Sequence, residues 1–182
     1  LESIMPSPAI SNQNLTGVGI GLRSKHYQYI LENLPAVPWF EALTDNYMNE
    51  GGLPLHYLEK IRQHYPLTMH GVGLSLGATE PLNEAYLSKL KQLKQRFEPA
   101  YISDHLCWAS HSGLHGNDLF PIPYTLDAAK HVAERIDRVQ SYLGDRILLE
   151  NVSSYLSYQD SMMEEAEFLA EVIKRSDCLL LC

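Results

Sequence analysis

Short apolar runs and longer amphipathic stretches alternate along this chain, and that alternation restricts the fold more than any other feature. Runs at 17–22, 39–43, 67–70, 100–103, 146–150 and 178–181 read as strands. Between them the spacing predicts helices over 26–34, 55–65, 82–97, 126–143 and 162–175. In the fourth helix Leu126, Ala129, Val132, Ala133, Ile136, Val139 and Leu143 return to one face at helical intervals. Thr125 is placed to cap that helix, and Ser161 with Glu164 forms a capping-box pattern before the fifth. Pro66 and Pro99 end the preceding helices just ahead of strands. Strand–helix–strand units repeated in this way imply parallel strands and right-handed crossovers, hence an open doubly wound sheet or part of a barrel.

Glycine placement favours the barrel. Gly17, Gly19 and Gly21 fall inside the first strand, in a G-V-G-I-G order, whereas a dinucleotide-binding turn needs G-x-G-x-x-G between strand and helix. Glycines within a strand instead mark close packing. The 182 residues fall well short of the roughly 250 typical of an eightfold barrel, and the domain read over 17–182 shows six strand candidates.

Fourteen basic and 22 acidic side chains give a net charge of −8, which argues against a nucleic-acid clamp. Three cysteines without framework spacing fit a reducing compartment and cytoplasmic location. Residues 1–16 hold Pro6, Pro8, Ser11, Asn12 and Asn14 and no basic side chain, the composition of a flexible arm rather than a targeting peptide. No stretch supplies the roughly 20 apolar residues that span a bilayer, so no membrane is expected.

Active-site groups of parallel α/β proteins project from the carboxyl ends of strands. Here those ends carry Arg23 and His26, then Asp45 and Asn46, then His70, then Asp104 and His105, then Glu150 and Asn151. Imidazoles and carboxylates converging from neighbouring strands suit zinc, iron or manganese, and mixed nitrogen and oxygen ligation with open positions suits a redox-active iron. Each residue also has a plainer reading. His70 alone fits a strand-end histidine bonded to a carbonyl, and Asp104 fits a carboxylate that orients a neighbouring imidazole. Glu150, closing an apolar run, needs a cation or a metal beside it. His56, His64 and His131 read as surface or interhelix residues, His111 and His115 as members of a rim or lid loop at 109–117, and Cys107 as a small packed thiol.

Taken together, Gly-Leu-Arg-Ser-Lys-His (21–26), Trp-Phe-Glu (39–41), Asp-Asn-Tyr-Met (45–48), His-Gly-Val-Gly-Leu-Ser-Leu-Gly (70–77), Ser-Asp-His-Leu-Cys-Trp (103–108), Asn-Asp-Leu-Phe-Pro-Ile-Pro-Tyr (117–124) and Leu-Glu-Asn-Val-Ser-Ser-Tyr (149–155) resemble the multinuclear non-haem iron-dependent oxidative enzymes, which include the methanobactin biosynthesis oxidase. The resemblance implies a TIM-type (β/α)8 barrel of the xylose isomerase kind, two or three iron ions, dioxygen as co-substrate, and oxidation of cysteine residues in a ribosomally made precursor peptide delivered by a partner protein. It implies that His70, His105 and Glu150 are iron ligands and form the catalytic centre, with Glu150 bridging two metals. Asp104, Asn151, Asn46 and His26 are implied to line the pocket or to support the ligands from behind, and Arg23 to meet an anionic substrate group. Asp45 stands where the family has Glu, and Cys182 where it continues into Asp-Val-Asn-Asn and, from strands seven and eight, further ligands; part of the set is therefore expected to be missing here, the sequence being either a fragment of a longer protein or a naturally shortened relative that cannot close the barrel alone. Two other readings stand beside the oxidase: a divalent-metal isomerase or phosphoesterase on the same barrel, and an inactive relative serving as a binding module.

Overall fold

The computed structural model describes residues 15–111, 114–153 and 156–182. The expected arm over 1–16 therefore lies outside the described residues up to position 14. Six strands form one sheet in the order β1-β2-β3-β4-β7-β8: β1 (Ile20–Gly21), β2 (Phe40–Leu43), β3 (Leu67–His70), β4 (Ile102–His105), β7 (Leu148–Glu150) and β8 (Leu179–Leu181). The pairs β1–β2, β2–β3, β4–β7 and β7–β8 are parallel, as strand–helix alternation requires. Helices α1 (Tyr27–Asn33), α2 (Leu53–Arg62), α3 (Glu84–Phe97), α4 (Leu126–Leu143) and α5 (Glu165–Ser176) fall where the amphipathic stretches lie. No described helix is long and apolar enough to cross a membrane.

The chain divides into two compact units. The first runs to His70 and includes Gln92–Tyr101. Its core gathers Phe40, Leu58, Ile61, Leu67, Met69 and Phe97, all buried, with Phe40 meeting the Tyr65 ring edge-on at 4.9 Å. The tight packing expected of the early glycines is present at Gly19, where an added Cβ would come within 2.2 Å of the Trp39 indole. Beyond β1 and β2, short 3-10 turns at Ser24–His26 and Thr44–Tyr47 carry the chain into its helices.

The second unit comprises Gly71–Lys91 and Ile102–Cys182. Helix α4 starts where Thr125 Oγ1 accepts the Ala128 N–H at 3.1 Å and ends at Gly144 in the left-handed conformation, φ 72°. It buries Ala129, Val132, Ala133, Ile136, Val139 and Leu143, the face expected from their spacing, and packs on α5.

Two expectations are corrected in this unit. Helix α5 is capped by Glu164, whose capping-box partner is Glu167; Ser161 stands outside the helix and its Oγ accepts the Tyr124 N–H at 3.1 Å. A carboxylate satisfies the first-turn amides as well as a hydroxyl does and complements the helix dipole. The expected loop at 109–117 is instead part of an antiparallel ribbon, β5 (Trp108–His111) with β6 (Leu114–Phe120). Its base is set by Trp108, which stacks on its register partner Phe120 at 4.5 Å and donates from Nε1 to the Pro121 carbonyl at 3.0 Å.

Candidate metal centre

Period-two alternation decides which side chains can meet at the strand ends. In the β4–β7 ladder His105 is opposite Glu150, while Asp104 is opposite Leu149 and therefore on the other face. His105 Nε2 lies 3.5 Å from Glu150 Oε2, with the imidazole 11% and the carboxylate 37% exposed. His70 closes β3 and supplies a third donor; one ligand atom from each of His70, His105 and Glu150 lies within 4.8 Å of the other two. Bonds of about 2.1 Å to a common ion would place neighbouring donor atoms about 3.0–3.5 Å apart, a spacing that the His105–Glu150 pair meets. Two imidazoles and one carboxylate are the ligands of non-haem iron sites that keep positions open for substrate and oxidant. The donor chemistry thus fits an iron ion and also accepts zinc or manganese.

The segment after His70 belongs to the second unit and is held by that unit's own side chains. Asp104, 1% exposed, accepts the Leu74 N–H on Oδ2 at 3.2 Å and the His105 N–H on Oδ1 at 2.7 Å. Gly71 is needed because an added Cβ would approach Asp104 Oδ2 to 2.7 Å, and Gly73 because it would meet the Tyr86 ring at 2.3 Å. Tyr86 Oη in turn accepts the Gly73 N–H at 3.3 Å. Ser75 adopts φ 48°; its Oγ accepts the Ala109 N–H at 2.9 Å and its carbonyl accepts from Arg135 Nη2 at 3.1 Å. His131, expected on a surface or between helices, contacts the Ala78 carbonyl through Nε2 at 2.8 Å. Burial lowers the Arg135 guanidinium below its ordinary range, reinforced by Arg138 and opposed by Glu80. Tyr86 and Arg135 were absent from the expected site; the glycines of His-Gly-Val-Gly were the sequence sign that a bulky group sits against this segment.

Arg23 and His26 are exposed at the turn after β1, where the Arg23 carbonyl accepts the His26 N–H at 2.9 Å. Asn46 is exposed and Asp45 half-buried in the turn after β2. Behind these turns Tyr27 and Tyr47 share a buried hydroxyl–hydroxyl bond of 2.5 Å, and burial followed by the Tyr27 contact pushes the Tyr47 phenol far up. Asn151 is exposed and donates from Nδ2 to Glu165 Oε1 at 3.2 Å. Cys107 is fully buried, and burial with the nearby Asp104 charge pushes its thiol up to about 12, which suits a packed side chain. His56 and His64 are exposed. The side chains of His111 and His115 lie outside the described residues.

Three solved structures have similar folds. Endonuclease IV from Thermus thermophilus gives a TM-score of 0.53 at 16% identity, covering 89% of this chain and 60% of its own. The Escherichia coli 3-keto-D-glucoside 4-epimerase gives 0.52 at 16%, covering 87% and 64%. D-Psicose 3-epimerase gives 0.51 at 14%, covering 85% and 59%. These matches identify the parallel sheet with the xylose isomerase-like TIM barrels, the fold expected from the sequence.

Residues 17–182 match the family described as RiPP precursor modification enzyme MbnB/TglH/ChrH, and the chain belongs to it. A UPF0276 protein of Acaryochloris marina (strain MBIC 11017) is 54% identical over 167 residues, covering 92% of this chain and 60% of the relative. One from Anaeromyxobacter sp. (strain Fw109-5) is 53% identical over 169 residues, covering 93% and 60%. The chain spans about 60% of the length of these curated relatives.

Proposed function

We propose that this chain forms part of an iron-dependent oxidase that modifies cysteine residues of a ribosomally synthesised precursor peptide with dioxygen. The observation that carries the reading is the grouping of two imidazoles and one carboxylate at the strand ends of a precursor-modifying family member. His70 and His105 offer neutral nitrogen donors, and Glu150 supplies negative charge together with a second oxygen able to bridge to a further iron. Iron, when bound, supplies dioxygen activation and a soft partner for a substrate thiolate. The protein's own part is to hold these donors in register: β4 and β7 fix His105 against Glu150, and Asp104 ties the backbone of His105 to that of Leu74. Arg23, exposed at the turn after β1, is assigned to an anionic group of the peptide, and His26 and Asn46 to the pocket rim. A partner protein presents the peptide.

The test is a mass change on the cognate precursor, incubated with anaerobically purified, iron-loaded full-length protein before and after admitting oxygen. We expect a change that needs oxygen and disappears when the target cysteine is replaced by serine. A change that persists without oxygen, or on the serine peptide, would refute the oxidase and favour a non-redox reaction on this barrel.

A further inference from the structure

Beside the strand end that carries Glu150, the second unit contains an open cleft of about 810 Å³ whose side chains the proposed metal chemistry does not use. Its size lies within the roughly 300–1,000 Å³ of ligand-binding sites. One wall is aromatic, from Tyr124 and Tyr158. Tyr124 is fixed by Phe168 at 5.0 Å between ring centroids and by its N–H bond to Ser161; Tyr158 donates to the Pro121 carbonyl at 3.0 Å. Leu156 and Met162, which also line the cleft, are 51% and 84% exposed. Methionine and leucine displayed at a concave surface are adaptable apolar contacts rather than core.

Three carboxylates, Glu164, Glu165 and Glu167, complete the rim, and none of the lining residues is Lys, Arg or His. The α5 N-terminus offsets only about half a unit of that charge. Glu165 is the acceptor for Asn151, the residue after Glu150, so one hydrogen bond ties the rim to that strand end. A fixed aromatic wall, exposed aliphatic side chains and three carboxylates that bond amides and a phenol but face no cationic side chain among the lining residues together describe a complement for a cation on an apolar stem.

We propose that this cleft binds a segment of the substrate peptide carrying a lysine or arginine next to an aliphatic residue, and so selects which cysteine reaches Glu150. The inference rests on the peptide-oxidase reading for its substrate class, but its test needs neither iron nor cysteine.

Fluorescence anisotropy of the full-length protein is measured with a fluorescein-labelled, cysteine-free nonapeptide holding two Lys-Leu pairs in a Gly-Ser background, and with its Glu-Leu and Lys-Ser counterparts. We expect the Lys-Leu peptide to bind at least about tenfold more tightly than either counterpart. Met162→Ser, which removes an apolar contact at an exposed position without adding charge, and Glu164→Gln, which keeps an acceptor for the cap, should each weaken it at least about fivefold, with folding checked by circular dichroism. Glu134→Lys on α4, an exposed charge change outside the cleft lining, should change binding less than about twofold. Equal binding of the Glu-Leu peptide, undiminished binding by both cleft variants, a loss in Glu134→Lys as large as in Glu164→Gln, or no saturable binding overturns the cleft assignment. An oxidase failing the mass test while this binding persists would refute only the chemistry; oxidation of a precursor stripped of basic residues at undiminished rate would refute only the cleft.

Discussion

On one face of the β4–β7 ladder His105 stands opposite Glu150, both reachable by solvent; on the other Asp104 stands opposite Leu149, both buried. The same two three- or four-residue strands thus present a donor pair in one direction and a structural pair in the other. Two carboxylates separated by a single ladder step take opposite tasks. Glu150 is open beside an imidazole, while Asp104 accepts hydrogen bonds from two backbone amides. A strand end can carry reactive groups only because its reverse face is closed and fully bonded.

Substitutions on the two faces should separate stability from metal binding. Leu149→Ala should cost about 2–5 kcal/mol in chemical denaturation, whereas Glu150→Ala should stay within about 0.5 kcal/mol. Equal losses would show that the faces do not differ as described. Asp104→Asn, which removes charge from two amide bonds, should cost about 1–3 kcal/mol by the same measurement. No loss would mean that the amides find equal acceptors elsewhere. Away from the ladder, Thr125→Ala should cost about 1 kcal/mol through the lost α4 cap.

The smallest expected effect concerns thiols. Iodoacetamide at pH 8 should label Cys182, which is exposed, and spare native Cys107 and Cys178, both buried and both with thiols raised chiefly by burial. The Cys107 thiol stays neutral in the fold up to about 12, while the unfolded thiol ionises from its ordinary 9.0. Its linkage therefore leaves stability unchanged below the ordinary value and lowers it as pH rises between the two. Labelling of native Cys107 at pH 8 would contradict its burial.

Most of the sheet was legible in the chain because alternation, caps and helix breakers agreed. The α4 face from Ala129 to Leu143 and the Thr125 cap are local signals, fixed within a few residues. Strand ends were visible as the places where apolar runs meet His70, His105 and Glu150. What escaped depends on distant partners. Ser161 has a cap-like spacing, but the Tyr124 N–H, 37 positions away, takes its hydroxyl. The β5–β6 ribbon is registered by Trp108 stacking on Phe120 across a polar stretch with little alternation. Asp104 was expected to line the pocket or orient a neighbouring imidazole, and its bond to the Leu74 N–H, 30 positions away, is a contact no local pattern encodes.

The most direct measurement is the metal content of the anaerobically purified full-length protein and of its Glu150→Gln and His131→Gln variants. We expect iron at or above one equivalent per chain in the parent and in His131→Gln, which keeps a side chain able to bond the Ala78 carbonyl, and at least about a tenfold loss of affinity in Glu150→Gln. Equal iron in both variants, or none in the parent, would contradict a metal centre built on His70, His105 and Glu150.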